Sequence, residues 1–401
     1  MSQSWLGEEL RTVVEELASY ERPSASEGER RAAEWIAERL RSHGHEATVE
    51  VERAHGGYWW PLGLLNAAVT IAGVAATRTR SRRRRLLTGA IGAGAAAAIW
   101  DELGGGRLWF RRATLPHRDT FNVIARTGDP NADETVLVVS HHDAAHSGLI
   151  FHPGLPKLFA ERFPELLERS EQTLPIMFAT WLGPVFVALG SLLGHRGFLR
   201  AGTFLAGATT VTMADIARSQ VVPGANDNLS AVAVLLALAR SLGERPQPGV
   251  RVLFLSTGSE ESFMEGMQGF IRRHRAELDP ERTTVLCLEC VGGPMLTLIE
   301  AEGMLRMRPY SDPAKSRVAD AAQTAGIELV RGLRTVLATD ALVALRRGYA
   351  AVTLASIDAT KFPANYHWAS DAPENLDWGT IERAFAVTES FVRAGSREAG
   401  G

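Results

Sequence analysis

Five short stretches of this 401-residue chain carry side chains able to bind a metal ion or move a proton. They are Ser140-His141-His142-Asp143, Asn226-Asp227-Asn228, Ser259-Glu260-Glu261, Glu289 within Leu286–Gly293, and Tyr366-His367-Trp368-Ala369-Ser370-Asp371. In an extended chain His141 and Asp143 project to the same side, so one can hold a metal while the other fixes the geometry. Of two adjacent acids after a buried strand, one can bind a metal and the other can reach the metal's water as general base. Glu289 closes an otherwise apolar run, where a carboxylate is costly unless paired or metal-bound. Taken singly, Asn226–Asn228 reads as a helix cap, and a lone His367 as a surface or core residue. As a set, two histidines, a bridging Asp, two acids and a spare Glu complete two metal sites that share a carboxylate. Nitrogen and oxygen donors in this mix suit zinc.

The elements that must position these residues alternate. Thr135–Ser140, Val250–Ser256, Thr284–Cys290 and Ala350–Ala355 read as unbroken apolar strands, with a helix over Asn228–Leu242. Residues 6–20 have helical spacing. Ser26 and Glu29 form a capping box that opens a helix through Trp35, Ile36 and Leu40 to Gly44, and Ala47–Val51 alternates as a strand. This predicts an α/β protein with a mostly parallel, mixed sheet covered on both faces. The reactive stretches fall beyond strand ends or in loops, where ligands collect in such sheets.

Composition narrows the function. Forty-three Lys+Arg against 46 Asp+Glu give a net charge of −3, which excludes a nucleic-acid protein driven by bulk electrostatics. Cys287 and Cys290 are the two cysteines, too few for a disulfide framework. Their spacing on a strand turns the sulfurs to opposite faces, so they read as buried thiols. Apolar residues make up 45% of the chain but are unevenly spread. Gly56–Thr77 is a 22-residue run without charge; the basic block Arg78–Arg85 and the uncharged run Leu86–Trp100 follow. A second pair, Leu174–Gly194 and Ala201–Ala214, is split by His195-Arg196 and Arg200. The longer runs match a bilayer's thickness and the shorter ones are marginal.

In the order of its reactive stretches the chain resembles the di-zinc aminopeptidases of the leucyl aminopeptidase and aminopeptidase Y type, relatives of glutaminyl cyclases and carboxypeptidase-like exopeptidases. Arg22-Pro23-Ser24-Ala25-Ser26 and Thr339-Asp340 before Arg347–Ala351 fit the same family. The resemblance implies a three-layer α/β/α fold and two zinc ions per chain. By that resemblance His141 and Glu289 would bind one zinc, Glu261 and His367 the other, and Asp227 both. Glu260 would be the general base, Asp143 would support His141, and Tyr366 would help stabilise an oxyanion. The implied function is an aminopeptidase acting on peptides with a free N-terminus; single-zinc glutaminyl cyclase chemistry and a catalytically silent membrane scaffold are the alternatives. The chain departs from the family in having Glu289 where Asp is usual, in Ser262–Glu265 after the acid pair, and in 83 residues between Asp143 and Asp227.

The expected organisation is a catalytic domain over 1–56, 118–143 and 223–401, with hydrophobic hairpins inserted at 57–117 and 144–222. Two hairpins supply four helices, enough for a small bundle. As a membrane anchor this element would make the protein multi-pass, with interfacial rings among Trp59, Trp60, Trp100 and Trp181 and with its basic tips facing the cytoplasm. Met1–Gln3 lead into the first helix without a signal-peptide pattern. As a soluble element in a cytoplasmic protein, the helices would form a lid or a dimer interface. No nucleic-acid partner is expected.

Overall fold

The computed structural model of the chain describes residues 5–79, 81–173 and 175–395. Met1–Gln3, Arg80 of the basic block and Leu174 at the start of the second apolar run lie outside the described residues.

Unbroken apolar strands need cover on both faces, and the central strands have it. The main sheet contains β1 (Glu46–Ala54), β2 (Arg118–Gly128), β3 (Thr135–His141), β4 (Arg251–Thr257), β5 (Thr283–Glu289), β6 (Met295–Leu298) and β7 (Ala350–Ile357). Their order is β1-β2-β4-β3-β5-β7-β6. The four central strands β4, β3, β5 and β7 are parallel. The pairings of β1 with β2, β2 with β4, and β6 with β7 are antiparallel. All seven residues of β3 are buried, whereas β1 at the edge exposes Glu46, Thr48 and Glu52's neighbours Val51 and Arg53.

Period-two alternation divides the core in two. Val136, Val138, Phe254, Leu286 and Leu354 point to a face covered by α1 (Leu6–Ala18), α2 (Glu27–Ser42) and three helices from later in the chain. Leu137, Val139, Leu255, Val285 and Cys287 point to the other face. The buried residues of that second face form one cluster with residues of α3 (Trp59–Thr77), α4 (Arg82–Leu103), α5 (Phe178–Leu192) and α6 (Arg196–Ile216), running along α3 from Trp59 to Ala76 and along α6 from Leu199 to Ile216. The later helices are α7 (Ser230–Glu244), α8 (Glu265–His274), α9 (Asp312–Ala325), α10 (Asp340–Arg346) and α11 (Trp378–Ala394). Helices α7, α9 and α11 complete the first face, and α8 and α10 lie on the second.

Helices α3 to α6 pack side by side, α3 on α4 and α6, and α5 on the same two. Small residues permit this close approach. A Cβ on Gly92 would lie 2.8 Å from the Ala188 nitrogen, and one on Gly202 would lie 2.6 Å from that of Val187. The outward side is apolar: Ile71, Phe204 and Val211 are 72%, 73% and 69% exposed. Among the described residues α3 alone is long and apolar enough to cross a bilayer; α5, with 15 residues, is shorter.

Two local expectations change. Ser26 caps α2 by accepting from the Glu29 amide at 3.1 Å, but the Glu29 carboxylate does not return to Ser26. It accepts from the Ala25 amide at 2.7 Å and reaches across to β2 and the Ser259 loop. The helix expected from Asn228 begins at Ser230, because Asp227 and Asn228 have non-helical backbone angles.

Candidate metal centre

The loops at the ends of β3, β4 and β5, the segment before α7 and the turn before α11 converge on Asp227. Its Oδ1 lies 3.1 Å from His141 Nε2, and that same nitrogen is 3.4 Å from Glu289 Oε1. Its Oδ2 lies 3.3 Å from His367 Nε2, which is 3.2 Å from Glu261 Oε1. The five side chains expected to ligate therefore meet as two clusters on either side of one carboxylate. Glu260 Oε2 sits 3.9 Å from His141 Nε2, facing this centre without joining the close contacts. Tyr366 stacks on the His367 ring at 3.8 Å between centroids.

Asp143 does more than orient a histidine. Its Oδ1 is 3.4 Å from His141 Nδ1 and accepts the Glu260 amide at 3.0 Å. Its Oδ2 accepts the Glu261 amide at 3.1 Å and the Ser24 hydroxyl at 2.6 Å. One carboxylate thus fixes the backbone of both acids. Glu29 secures the same loop one residue earlier, accepting from the amide and hydroxyl of Ser259 at 3.0 and 3.1 Å. That anchoring matters because Ser259, Phe263 and Met264 all adopt positive φ, a conformation that side chains resist. His142 points the other way, to Ser256, and burial pushes its pKa down to about 3, leaving it neutral.

Sequence reasoning missed most of these supports. Arg22 is fully buried and donates to His142, Pro223 and Gly224 carbonyls, tying the β3 loop to the segment bearing Asp227. Asp371 accepts the amides of Asn226 and Asp227 at 2.6 and 3.1 Å. Asn228 holds the Glu289 turn, its Oδ1 accepting the Cys290 amide and its Nδ2 donating to the Leu288 carbonyl. Cys287 and Cys290 are free and buried, but Cys290 is part of this centre, its Sγ donating to Glu289 Oε1 at 3.4 Å. The early Arg22–Ser26 segment was the visible signal for two of these contacts.

Electrostatics point to a cation. Seven carboxyl groups (Asp143, Asp227, Glu260, Glu261, Glu289, Asp340 and Asp371) crowd around two imidazoles and one guanidinium. Burial drives Glu260 well above the usual carboxylate range, with Glu289 and Glu261 adding to the effect and His141 opposing it. Burial likewise raises Asp340 and Asp371 to about 7. For His367 burial disfavours the charge, but Glu261 and Asp227 outweigh it and raise the ring to about 10. A buried cluster with this excess of acids wants positive charge. Ligand atoms of His141, Asp227 and Glu261 lie within 4.8 Å of one another, as do those of Asp227, Glu289 and Cys290; with His367 beside Asp227 and Glu261, the imidazole and carboxylate donors fit divalent metal ions of the zinc type.

A cavity of about 450 Å³ opens beside Glu260, Glu261 and His367. Its walls are apolar: Phe263, Met264 and Met304 from the α/β body, Tyr58 at the foot of α3, and Phe151 and Met177 from the chain between β3 and α5. Phe151 meets the His367 ring edge-on at 4.6 Å. A buried network joins the helical element to the acid loop. Arg111 pairs with Glu102 of α4 at 2.7 Å, donates to the Ser262 carbonyl at 2.8 Å and pairs with Glu265 at 3.1 Å.

Residues 209–392 match Peptidase family M28. Over that segment the chain is similar to the peptidases of this family. Three solved structures share the fold over nearly their whole length. The glutaminyl cyclase of Bacteroides thetaiotaomicron bound to N-acetylhistamine has 12% identity and a TM-score of 0.57, with 96% of this chain and 97% of that chain covered. A Zn-dependent exopeptidase from Parabacteroides distasonis has 13% identity and a TM-score of 0.56, with 96% and 97% covered. The aminopeptidase from Aneurinibacillus sp. strain AM-1 has 14% identity and a TM-score of 0.54, with 97% and 94% covered. None of the curated proteins matches the chain in sequence. The family supports a hydrolase acting on peptides and the mixed α/β exopeptidase fold.

Proposed function

We propose that this protein is an aminopeptidase that removes apolar residues from the free N-terminus of peptides, using two zinc ions that share Asp227. The observation that carries this reading is the division around that carboxylate, with His141 and Glu289 at Oδ1 and His367 and Glu261 at Oδ2. When bound, such ions lower the pKa of a water and polarise the substrate carbonyl.

The chain's own groups do the rest. Glu260 takes the proton as the water oxygen bonds to the carbonyl carbon, and it returns a proton to the leaving amine as the C–N bond breaks. Asp143 holds the Glu260 amide so that the carboxyl stays aimed at the centre. Tyr366, its phenol kept neutral by burial, donates to the developing oxyanion. The apolar cavity takes the side chain of the departing residue.

The helical element α3–α6 is proposed as a multi-pass anchor in the cell membrane, with the catalytic domain at the Trp60 and Trp100 end and the arginines on the cytoplasmic side. Its exposed apolar outer face supports this reading. Alkaline carbonate extraction tests it: protein released wholly into the supernatant would favour a soluble lid.

Elemental analysis combined with a panel of amino-acid amides tests the enzyme. Two metals per chain and release of apolar amino acids are expected. One metal with a pyroglutamyl product would make the protein a cyclase, the activity named for several structural neighbours. Metal-loaded protein that neither hydrolyses the amides nor forms a pyroglutamyl product would favour a silent scaffold.

A further inference from the structure

The far end of the helical element carries charge that its own sequence does not compensate. No acidic residue occurs between Glu52 and Asp101 or between Glu171 and Asp215, yet six arginines lie within Arg78–Arg85 and two more are Arg196 and Arg200. Three of these eight converge. Arg85 from the first turn of α4 and Arg196 and Arg200 from the start of α6 line one pocket of about 550 Å³, with Thr77, Gly194 and the apolar Leu199.

The pocket is built for an acceptor. The Arg85 guanidinium lies so close to Gly194 that a Cβ there would sit 3.2 Å from Nη1. Gly194 has φ of 74°, so the α5–α6 turn and the arginine accommodate each other. Arg85 Nε is buried and has no hydrogen-bond partner among the described residues. An N–H in that position is expensive to leave unmatched, and guanidinium groups sharing a pocket repel. A phosphate answers both problems, because its oxygens accept paired N–H donors from arginine. Beside the pocket, Leu87 and Leu193 are 63% and 71% exposed, presenting apolar surface next to the charge.

We propose that Arg85, Arg196 and Arg200 bind the phosphate of an anionic phospholipid headgroup, with its acyl chains lying along the exposed apolar face of α3–α6. The absence of carboxylates from the tip disfavours a headgroup bearing its own cation. The inference rests on the membrane reading above, and it adds a lipid class and a defined site to it.

The test uses the full chain purified in detergent and titrated with three probes: dioctanoyl phosphatidylglycerol, dioctanoyl phosphatidylcholine and inorganic phosphate. Saturable binding of the glycerol lipid is expected, with each of the other probes at least about tenfold weaker. The triple substitution Arg85→Gln, Arg196→Gln and Arg200→Gln should weaken that binding at least about tenfold. The charge-matched control Arg82→Gln, Arg83→Gln and Arg84→Gln should change it by less than about threefold. Equal losses in the two variants would reduce the site to a diffuse field, and phosphate as tight as the lipid would make it a site for the free anion. Absence of saturable binding would also overturn the proposal. Should the triple variant not fold, Arg200→Gln alone gives the same reading. Amide hydrolysis in these preparations reports the catalytic reading separately, and carbonate extraction of the wild type reports the membrane reading.

Discussion

The metal centre and the tip of the helical element both gather like charges, on opposite terms. At the centre, seven carboxyl groups are packed into the core, and Asp143 and Asp371 hold backbone amides at 3.1 Å or less. At the tip, Arg82, Arg83 and Arg84 stand in solvent, while the pocket lined by Arg85, Arg196 and Arg200 is where the described arginines converge. Water does not screen the buried group, so its geometry must be set by hydrogen bonds before any ion arrives. The exposed group is screened within about 10 Å and tolerates loose geometry. Displacing a charge should therefore matter greatly at one place and little at the other.

The largest effect is expected from Glu260→Gln. Removing the proton carrier should lower kcat on amino-acid amides by about 10²–10⁴ while metal content, read by elemental analysis, stays the same. Loss of metal instead would place Glu260 among the ligands. Next is Gly92→Ala, which sets a methyl 2.8 Å from the Ala188 nitrogen and 2.9 Å from the Pro184 carbonyl oxygen. Forcing α4 from α5 should cost about 1–3 kcal/mol in denaturant unfolding and leave kcat unchanged. A fall in kcat would show that strain travels through the Glu102–Arg111 pair into the acid loop.

A smaller effect separates buried acids from exposed charges by pH. Burial pushes Glu302 up to about 8 from its ordinary 4.5. Between those values the folded chain holds a proton that the unfolded chain has released. Stability therefore declines as pH rises from about 4.5 to about 8 and levels off above that range. Glu302→Gln should remove this contribution, so its Tm relative to wild type should rise across that interval; an unchanged difference would mean that Glu302 ionises at its ordinary pKa. The smallest effect belongs to Arg82→Gln, Arg83→Gln and Arg84→Gln together. Unfolding free energy should shift by no more than about 0.5 kcal/mol per site, and a larger loss would reveal acid partners for the tip.

Much of this was legible along the chain because it is local. A strand buried on both faces must be apolar throughout, and β3, β4 and β5 lie within one residue of the expected strands, while β7 runs two residues further, to Ile357. The five stretches with ligating side chains stood out only as a set, because singly most of them have a bland explanation and together they supply the donors of two metal sites. The supports around them were not legible. Arg22 resembles any surface arginine until it meets carbonyls some 200 residues away, and Glu29 looks like half of a capping box until Thr120 and Ser259 approach it. Asn226–Asn228 read as a helix cap because nothing nearby shows that Asp371 and the Glu289 turn will take up its hydrogen bonds.

The sequence by itself determined the donor types, the α/β alternation and the uncharged apolar runs with arginines between them, since each depends on residue chemistry or on a period shorter than a helix. Tertiary structure decided which oxygen of Asp227 faces which histidine, that Asp143 clamps the acid loop, and that Tyr58 and Phe151 wall the cavity beside Glu260 and Glu261. It also decided that Arg85, Arg196 and Arg200 share one pocket. These outcomes depend on strand register and on contacts between segments far apart in the chain, which only the completed packing brings within hydrogen-bond distance.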